Sequence, residues 1–314
     1  MQTTLNGTVL GAPYPAGTGS ELIDTKTIRQ VTFSGNSSII IPDGSIAVSD
    51  PMDFPIAAQS ELAISIYLKD GQNSSIITSH PSARRNSYYG MGNQVNNYNI
   101  TGDNVVMQQH WFFISGVEVW SPPSTSAFYI IGDSITDGRG SWNNGNNKWT
   151  DNLIARMQKN PATSNIAVCN QAAGGNRVLT DGNGPNAMGR IERDVIAQSA
   201  AKYAMIFEGV NDIGTAGLDA ASQELVYQVR SKLIQTLKLR TDSCDSVSSR
   251  PTSKWSLACT PLAFPYSPQQ SHQVCLLPST LPPFQHTYSY SRRTKRNSRH
   301  IHTARASSNG TACK

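Results

Sequence analysis

Charge is sparse in this chain: Asp, Glu, Lys and Arg together make up 15% of 314 residues, against about a quarter in an average soluble domain. Cysteine is nearly absent where it would matter for folding. The first 240 residues contain only Cys169, so no disulfide links one part of them to another, and on an apolar strand this thiol reads as buried and inert. No two cysteines stand at Cys-x-x-Cys spacing and the histidines form no ligand pattern, which excludes the common metal sites. No apolar run approaches the roughly 18 residues that a membrane-spanning helix needs. Met1 to Leu5 has neither a basic start nor an apolar core, so the chain as written is expected to carry no signal peptide.

A further absence is regional. From Thr241 to Lys314 there is no Glu, one glycine (Gly310) and one isoleucine (Ile301), while Lys and Arg outnumber Asp to a net of +7. The first 240 residues carry −2, so the chain's overall +5 comes from this tail. The tail also holds Cys244, Cys259, Cys275 and Cys313, is rich in Ser, Thr and Pro, and shows neither helical nor strand periodicity beyond short runs. It reads as a disordered basic segment, or as the product of a frameshift or retained intron. The run Arg292-Arg293-Thr294-Lys295-Arg296 stands without a folded nucleic-acid module, so no nucleic-acid partner is expected.

What the chain does contain is three apolar runs, each leading into a polar, glycine-bearing loop. Ala127–Ile131 precedes Gly132-Asp133-Ser134-Ile135-Thr136-Asp137-Gly138. Asn165–Cys169 precedes Asn170 to Asn176 with Gly174 and Gly175. Tyr203–Phe207 precedes Glu208-Gly209-Val210-Asn211-Asp212. In open α/β sheets the loops at the carboxyl ends of strands carry the site, because the sheet holds them rigid. Ser134 is therefore placed either to act as a nucleophile or to cap the helix that follows. Ester hydrolysis requires a nucleophile together with N–H donors aimed at the oxygen that becomes negative, each donor worth roughly 3 to 4 kcal/mol. The Ser134 and Gly175 backbone N–H groups and the Asn211 side-chain amide can supply them. Asp133 and Asp212 are expected to brace their loops by accepting backbone N–H bonds. Trp142, in the loop Ser141 to Asn147, and Asn176 are the candidate substrate contacts, and Arg177 is expected in a structural ion pair, with a substrate contact as the alternative.

The order Gly-Asp-Ser, glycine block, Gly-x-Asn-Asp, each directly after an apolar strand, resembles the SGNH or GDSL hydrolases. It is closest to fungal and bacterial GDSL-like esterases with a β-rich domain ahead of the hydrolase domain, over Thr25 to about Arg240. The resemblance implies Ser134 as nucleophile and Gly175 and Asn211 as oxyanion donors, with no cofactor. It also implies a flavodoxin-like, three-layer α/β domain of about five parallel strands, of which three are evident. The family's closing Asp-x-x-His is missing. Asp242 and Asp245 are followed at that offset by Asp245 and Ser248, and His80 and His110 are preceded by Ile77 and Met107. A serine whose histidine is lost keeps only about 10³ to 10⁴ over water from the oxyanion hole and binding, so activity is expected to be impaired.

Three regions follow. Residues 1–122 read as a small β-sandwich with strands at Ser38–Ile41, Ser45–Val48, Glu61–Leu68, Ser75–Thr78 and Trp111–Val119. Residues 123–240 read as the incomplete hydrolase domain, with helices at about 148–159, 185–198 and 219–239. Residues 241–314 are the tail, in which Ser256–Pro261 is the one candidate for a fourth strand; otherwise the sheet ends on an open edge. The Asn-x-Ser/Thr acceptors at Asn6, Asn36, Asn73, Asn99 and Asn309 suit an extracellular protein. The substrate is expected to be a small-molecule or polysaccharide ester, and the rival reading is a non-catalytic carbohydrate-binding β-domain attached to a hydrolase remnant.

Overall fold

The computed structural model describes residues 3–13, 19–42, 45–71, 76–225, 227–228, 231, 258–262, 272–278, 291–293 and 303–305. The chain divides into two compact units. One comprises Met1–Val117, Ser141–Lys148 and Thr287–Lys314; the other comprises Glu118–Gly140 and Trp149–His286.

The first unit is β-rich. Its strands are β1 (Thr3–Leu5), β2 (Gly7–Pro13), β3 (Ile23–Gln30), β4 (Ile39–Ile41), β5 (Ala63–Tyr67), β6 (Ile76–Pro81), β7 (Ser87–Tyr89), β8 (Val106–Gln108) and β9 (His110–Phe112). They form four small sheets, β1-β4, β3-β2-β5, β7-β8 and β6-β9, the last extended by Ser291–Arg293 and Thr303–Arg305, where composition had suggested one small sandwich. β2 is the centre of its sheet and its first five residues are all buried, so it lacks the alternation that marks a half-exposed strand. The expected strand at Ser45–Val48 is irregular backbone with Ile46 and Val48 exposed. The expected strand at Trp111–Val119 stops at Phe112, because Phe113 takes a positive φ of 61° that an extended strand cannot hold.

The second unit holds the parallel sheet. β10 (Ser126–Gly132) lies between β11 (Ile166–Asn170) and β12 (Ala201–Phe207), parallel to both. Ile130 and Ile131, adjacent and therefore on opposite faces, are both fully buried, as a strand covered on two sides requires. On one face Tyr129, Ile131, Ala204 and Ile206 pack with Val178, Ile191 and Val195. Cys169, partly buried against this core, has its thiol pushed up to about 11 by desolvation, in keeping with an inert role.

The helices are α1 (Ser134–Asp137), α2 (Trp149–Gln158), α3 (Ala187–Ile191) running into a π turn at Glu192–Ile196, and α4 (Val210–Thr215). Of the helix expected over 219–239, residues 220–225, 227–228 and 231 are helical and the rest lies outside the described residues. On the β12 side the sheet continues. β14 (His272–Pro278) runs antiparallel to β12, and β13 (Ala258–Leu262), overlapping the candidate fourth strand, pairs with β14. Apart from these strands and the two that extend β6, the expectation of disorder over 241–314 falls on residues outside the described ones. No helix among the described residues is long and apolar enough to cross a membrane.

Candidate active site

β10 delivers its carboxyl end into a sharp turn. Gly132 closes the strand where nothing larger fits: a Cβ there would sit 2.6 Å from Thr136 Oγ1 and 3.0 Å from the Phe207 carbonyl. Asp133 follows in an extended conformation and its carboxylate accepts from the Ile135 N–H at 2.8 Å, so Asp133 is the N-cap of α1. The cap is thus Asp133 and not Ser134. Ser134 is the first residue of the helix, half-buried, and its hydroxyl makes no hydrogen bond among the described residues. Gly138, at φ 115°, ends the single turn by donating to the Ser134 carbonyl.

The glycine loop is laced onto the end of β10. Gln171 N–H donates to the Ile130 carbonyl at 2.8 Å and Ala173 N–H to the Gly132 carbonyl at 2.9 Å. The loop then passes beside the serine: a Cβ on Gly174 would lie 4.0 Å from Ser134 Cβ and 3.7 Å from Asp137 Oδ2. Gly175 adopts φ +75°, and a Cβ there would collide with Asn183 Nδ2 at 2.6 Å, so glycine is required on both counts. Neither the Ser134 N–H nor the Gly175 N–H has a hydrogen-bond partner among the described residues. The third loop reaches the second through side chains. Asn211 Nδ2 donates to the Asn176 carbonyl at 2.8 Å, leaving its second hydrogen uncommitted, and the Asp212 carboxylate accepts from Val178 N–H at 2.9 Å. Asp133 and Asp212 thus accept the backbone N–H bonds expected of them.

Two other candidates lie elsewhere. Asn176 is fully buried, with its Nδ2 donating to the Pro185 carbonyl at 2.7 Å and its Oδ1 taken by Arg190. It is an interior residue and not the substrate contact expected. Trp142 is exposed, but its loop belongs with the β-rich unit, where Asn144 Oδ1 accepts from Asn86 N–H and Asn144 N–H donates to the Arg84 carbonyl. Arg177 makes no ion pair among the described residues; its Nε is buried without a partner and the residue lines a cavity of about 200 Å³ with Leu179, Thr180, Asp212 and Leu225.

Beneath the loops lies a charged group that sequence reasoning missed. Arg190, 1% exposed, reaches the Gly132 and Gln171 carbonyls, Asn176 Oδ1 and Asp194, while Glu208 Oε2 lies 3.9 Å from its guanidinium. The Glu208 side chain is fully buried and, among the described residues, neither carboxyl oxygen has a hydrogen-bond partner. Burial pushes its pKa up to about 9 despite Arg190, with Asp133 and Asp212 adding to the shift. The available signals were the Arg190/Asp194 spacing of four and the carboxylate directly before Gly209, but such a pair on a helix ordinarily faces water.

No curated protein matches the chain. The family model for GDSL-like lipase/acylhydrolase matches residues 128–294, slightly more than half of the chain and reaching beyond residue 240 into the Ser/Thr/Pro-rich segment. With three loops gathered at the carboxyl ends of a parallel sheet and this match spanning them, the chain belongs to the GDSL-like lipase/acylhydrolase family.

Proposed function

We propose that this chain is a serine ester hydrolase in which the Ser134 hydroxyl attacks an acyl ester. The Ser134 N–H, the Gly175 N–H and the uncommitted Asn211 amide hydrogen hold the oxyanion, and water then releases the acid. The observation that carries the reading is that the two backbone N–H groups on adjacent loops are both without partners beside an unbonded serine hydroxyl. Ser134 opens a helix, whose first N–H groups have no partner within it, and half-buried N–H groups left open among the described residues are what an oxyanion site requires. Turnover is low, because no Asp-x-x-His supplies the base that takes the serine proton. No cofactor is called for. The substrate class is a small-molecule or polysaccharide ester, and the sparse charge and Asn-x-Ser/Thr acceptors, Asn36 being exposed, suit a secreted protein acting on it.

A fluorophosphonate probe tests this directly, since an oxyanion site speeds its reaction with the serine even where the base is missing. Labelling of the intact chain that disappears in Ser134→Ala supports the proposal. Labelling that persists in Ser134→Ala, or no labelling of the folded chain over hours at millimolar probe, sinks it.

The second reading, a carbohydrate-binding β-domain with a hydrolase remnant, is favoured by exposed aromatic side chains of the β-rich unit. Trp111 and Tyr89 are each about two-fifths exposed, His80 lies 5.1 Å from the Trp111 ring centre, and Phe112 packs edge-on to Tyr89. Retardation in a polysaccharide gel that Trp111→Ala abolishes, together with absent labelling, selects this reading.

A further inference from the structure

The three loops are held by different elements, yet one side chain hydrogen-bonds two of them and faces a carboxyl group of the third. Arg190 has five N–H donors in a rigid plane, and every one is used. Nε and one Nη2 hydrogen converge on Asn176 Oδ1 at 2.9 and 2.5 Å, and the second Nη2 hydrogen goes to the Gly132 carbonyl at 3.3 Å. The Nη1 hydrogens go to the Gln171 carbonyl at 2.5 Å and Asp194 Oδ2 at 2.9 Å. Gly132 is two residues before Ser134, Asn176 follows Gly175, and the Asn176 carbonyl is the acceptor for Asn211. The carboxyl group of Glu208, three residues before Asn211, faces the same guanidinium.

We propose that Arg190 is a positioning residue that clamps the serine and glycine loops to each other and, by fixing Asn176, the acceptor of Asn211, sets the spacing between the Ser134 hydroxyl and its oxyanion donors. This rests on the hydrolase reading for its chemical consequence. The clamp itself does not depend on it.

Charge alone does not explain the arrangement. A buried cation needs a counter-ion, and Asp194, itself bracketed by Arg193 at 2.6 Å, supplies one at the edge of the fork. The three oxygens contributed by the loops are neutral acceptors spread around a plane. A planar guanidinium can meet all of them at once, whereas the single nitrogen of a lysine cannot. Asp194 stands four residues after Arg190 on the same helical segment, so the pair by itself would link one turn to the next without reaching the site.

The experiment uses the full chain with Arg190→Lys, which keeps the charge, and Arg190→Met, which removes it. Val195→Ala serves as a core control, since its side chain makes none of the hydrogen bonds that join the loops. Hydrogen exchange reads the clamp directly. In Arg190→Lys, the amides of Gln171, Ala173 and Val178 should exchange faster while Ile130 and Ile131 in β10 stay protected. Fluorophosphonate labelling of Ser134 should slow on the order of a hundredfold, the cost typical of a reacting group displaced by about 1 Å. Val195→Ala should lower the melting temperature with labelling nearly unchanged. Should Arg190→Met not fold, Arg190→Lys carries the test alone. Loop amides as protected as in the wild type overturn the clamp. Loosened loops with labelling at the wild-type rate overturn its link to the serine. A wild-type chain that never labels, with loops that loosen on substitution, counts against the hydrolase reading and leaves the clamp standing.

Discussion

Two isoleucines, both within strands, behave in opposite ways. Ile131 of β10 is wholly out of water, whereas Ile40 of β4 keeps 56% of its surface exposed. The difference lies in what covers each strand. β10 is flanked by parallel neighbours and sealed on one face by α3 and the π turn, so its apolar run must be continuous. β4 pairs only with β1 in a two-stranded sheet and buries little. The unit with the parallel sheet thus spends its apolar residues on a rigid frame for three loops, and the β-rich unit spreads its own over several small sheets with aromatic side chains left at the surface.

The comparison can be broken or sharpened by substitution. Ile131→Ala should cost about 2 to 5 kcal/mol, the range for a buried aliphatic truncated in a core that collapses only partly; chemical denaturation measures it, and a loss below about 1 kcal/mol would mean that the sheet is not the frame described. Gly175→Ala comes next. At φ +75° with Asn183 in the way, it should destabilise by roughly 1 to 3 kcal/mol, and it should slow labelling of Ser134 more than it lowers the melting temperature.

The third prediction concerns pH. The carboxyl of Glu208 has a pKa raised from 4.5 to about 9, so between these values the folded chain holds a proton that the unfolded chain has released. The stability this proton confers is complete below about 4.5 and is lost as pH rises through 9. Melting temperature should fall with pH over that window, and Glu208→Gln should flatten the slope. An unchanged slope in Glu208→Gln would show that the carboxyl is already charged in the folded protein. The smallest effect belongs to Ile40→Ala, expected within about 0.5 kcal/mol because the site is mostly solvated.

Legibility followed the same divide. The strands at 126–132, 166–170 and 201–207 were readable because a strand buried on both faces is an uninterrupted apolar run bounded by turn residues. In the β-rich unit, β2 was passed over because its Gly-Thr-Val-Leu-Gly sequence has no alternation, and β3 because Asp24, Lys26 and Arg29 make it look like loop. The Ser134 loop was found by its residue types. The partnership beneath it was not, since Arg190 and Gly132 are 58 residues apart and a helix sequence does not announce that its arginine turns inward. Asn176 was misjudged for a related reason: a polar residue beside a glycine block suggests a ligand, and only the position of Arg190 reveals that its amide is already occupied.

By itself the sequence determined the order of three loop motifs after three buried strands, the absence of Asp-x-x-His and the reversal of charge after residue 240, because each is a matter of which residues stand next to one another. Tertiary structure alone decided that Asp133 and not Ser134 caps the helix, that two backbone N–H groups are left without partners beside the serine, and that one guanidinium joins the loops. These depend on groups distant along the chain being carried to one place, where a hydrogen-bond partner is set by the fold and not by adjacency in sequence.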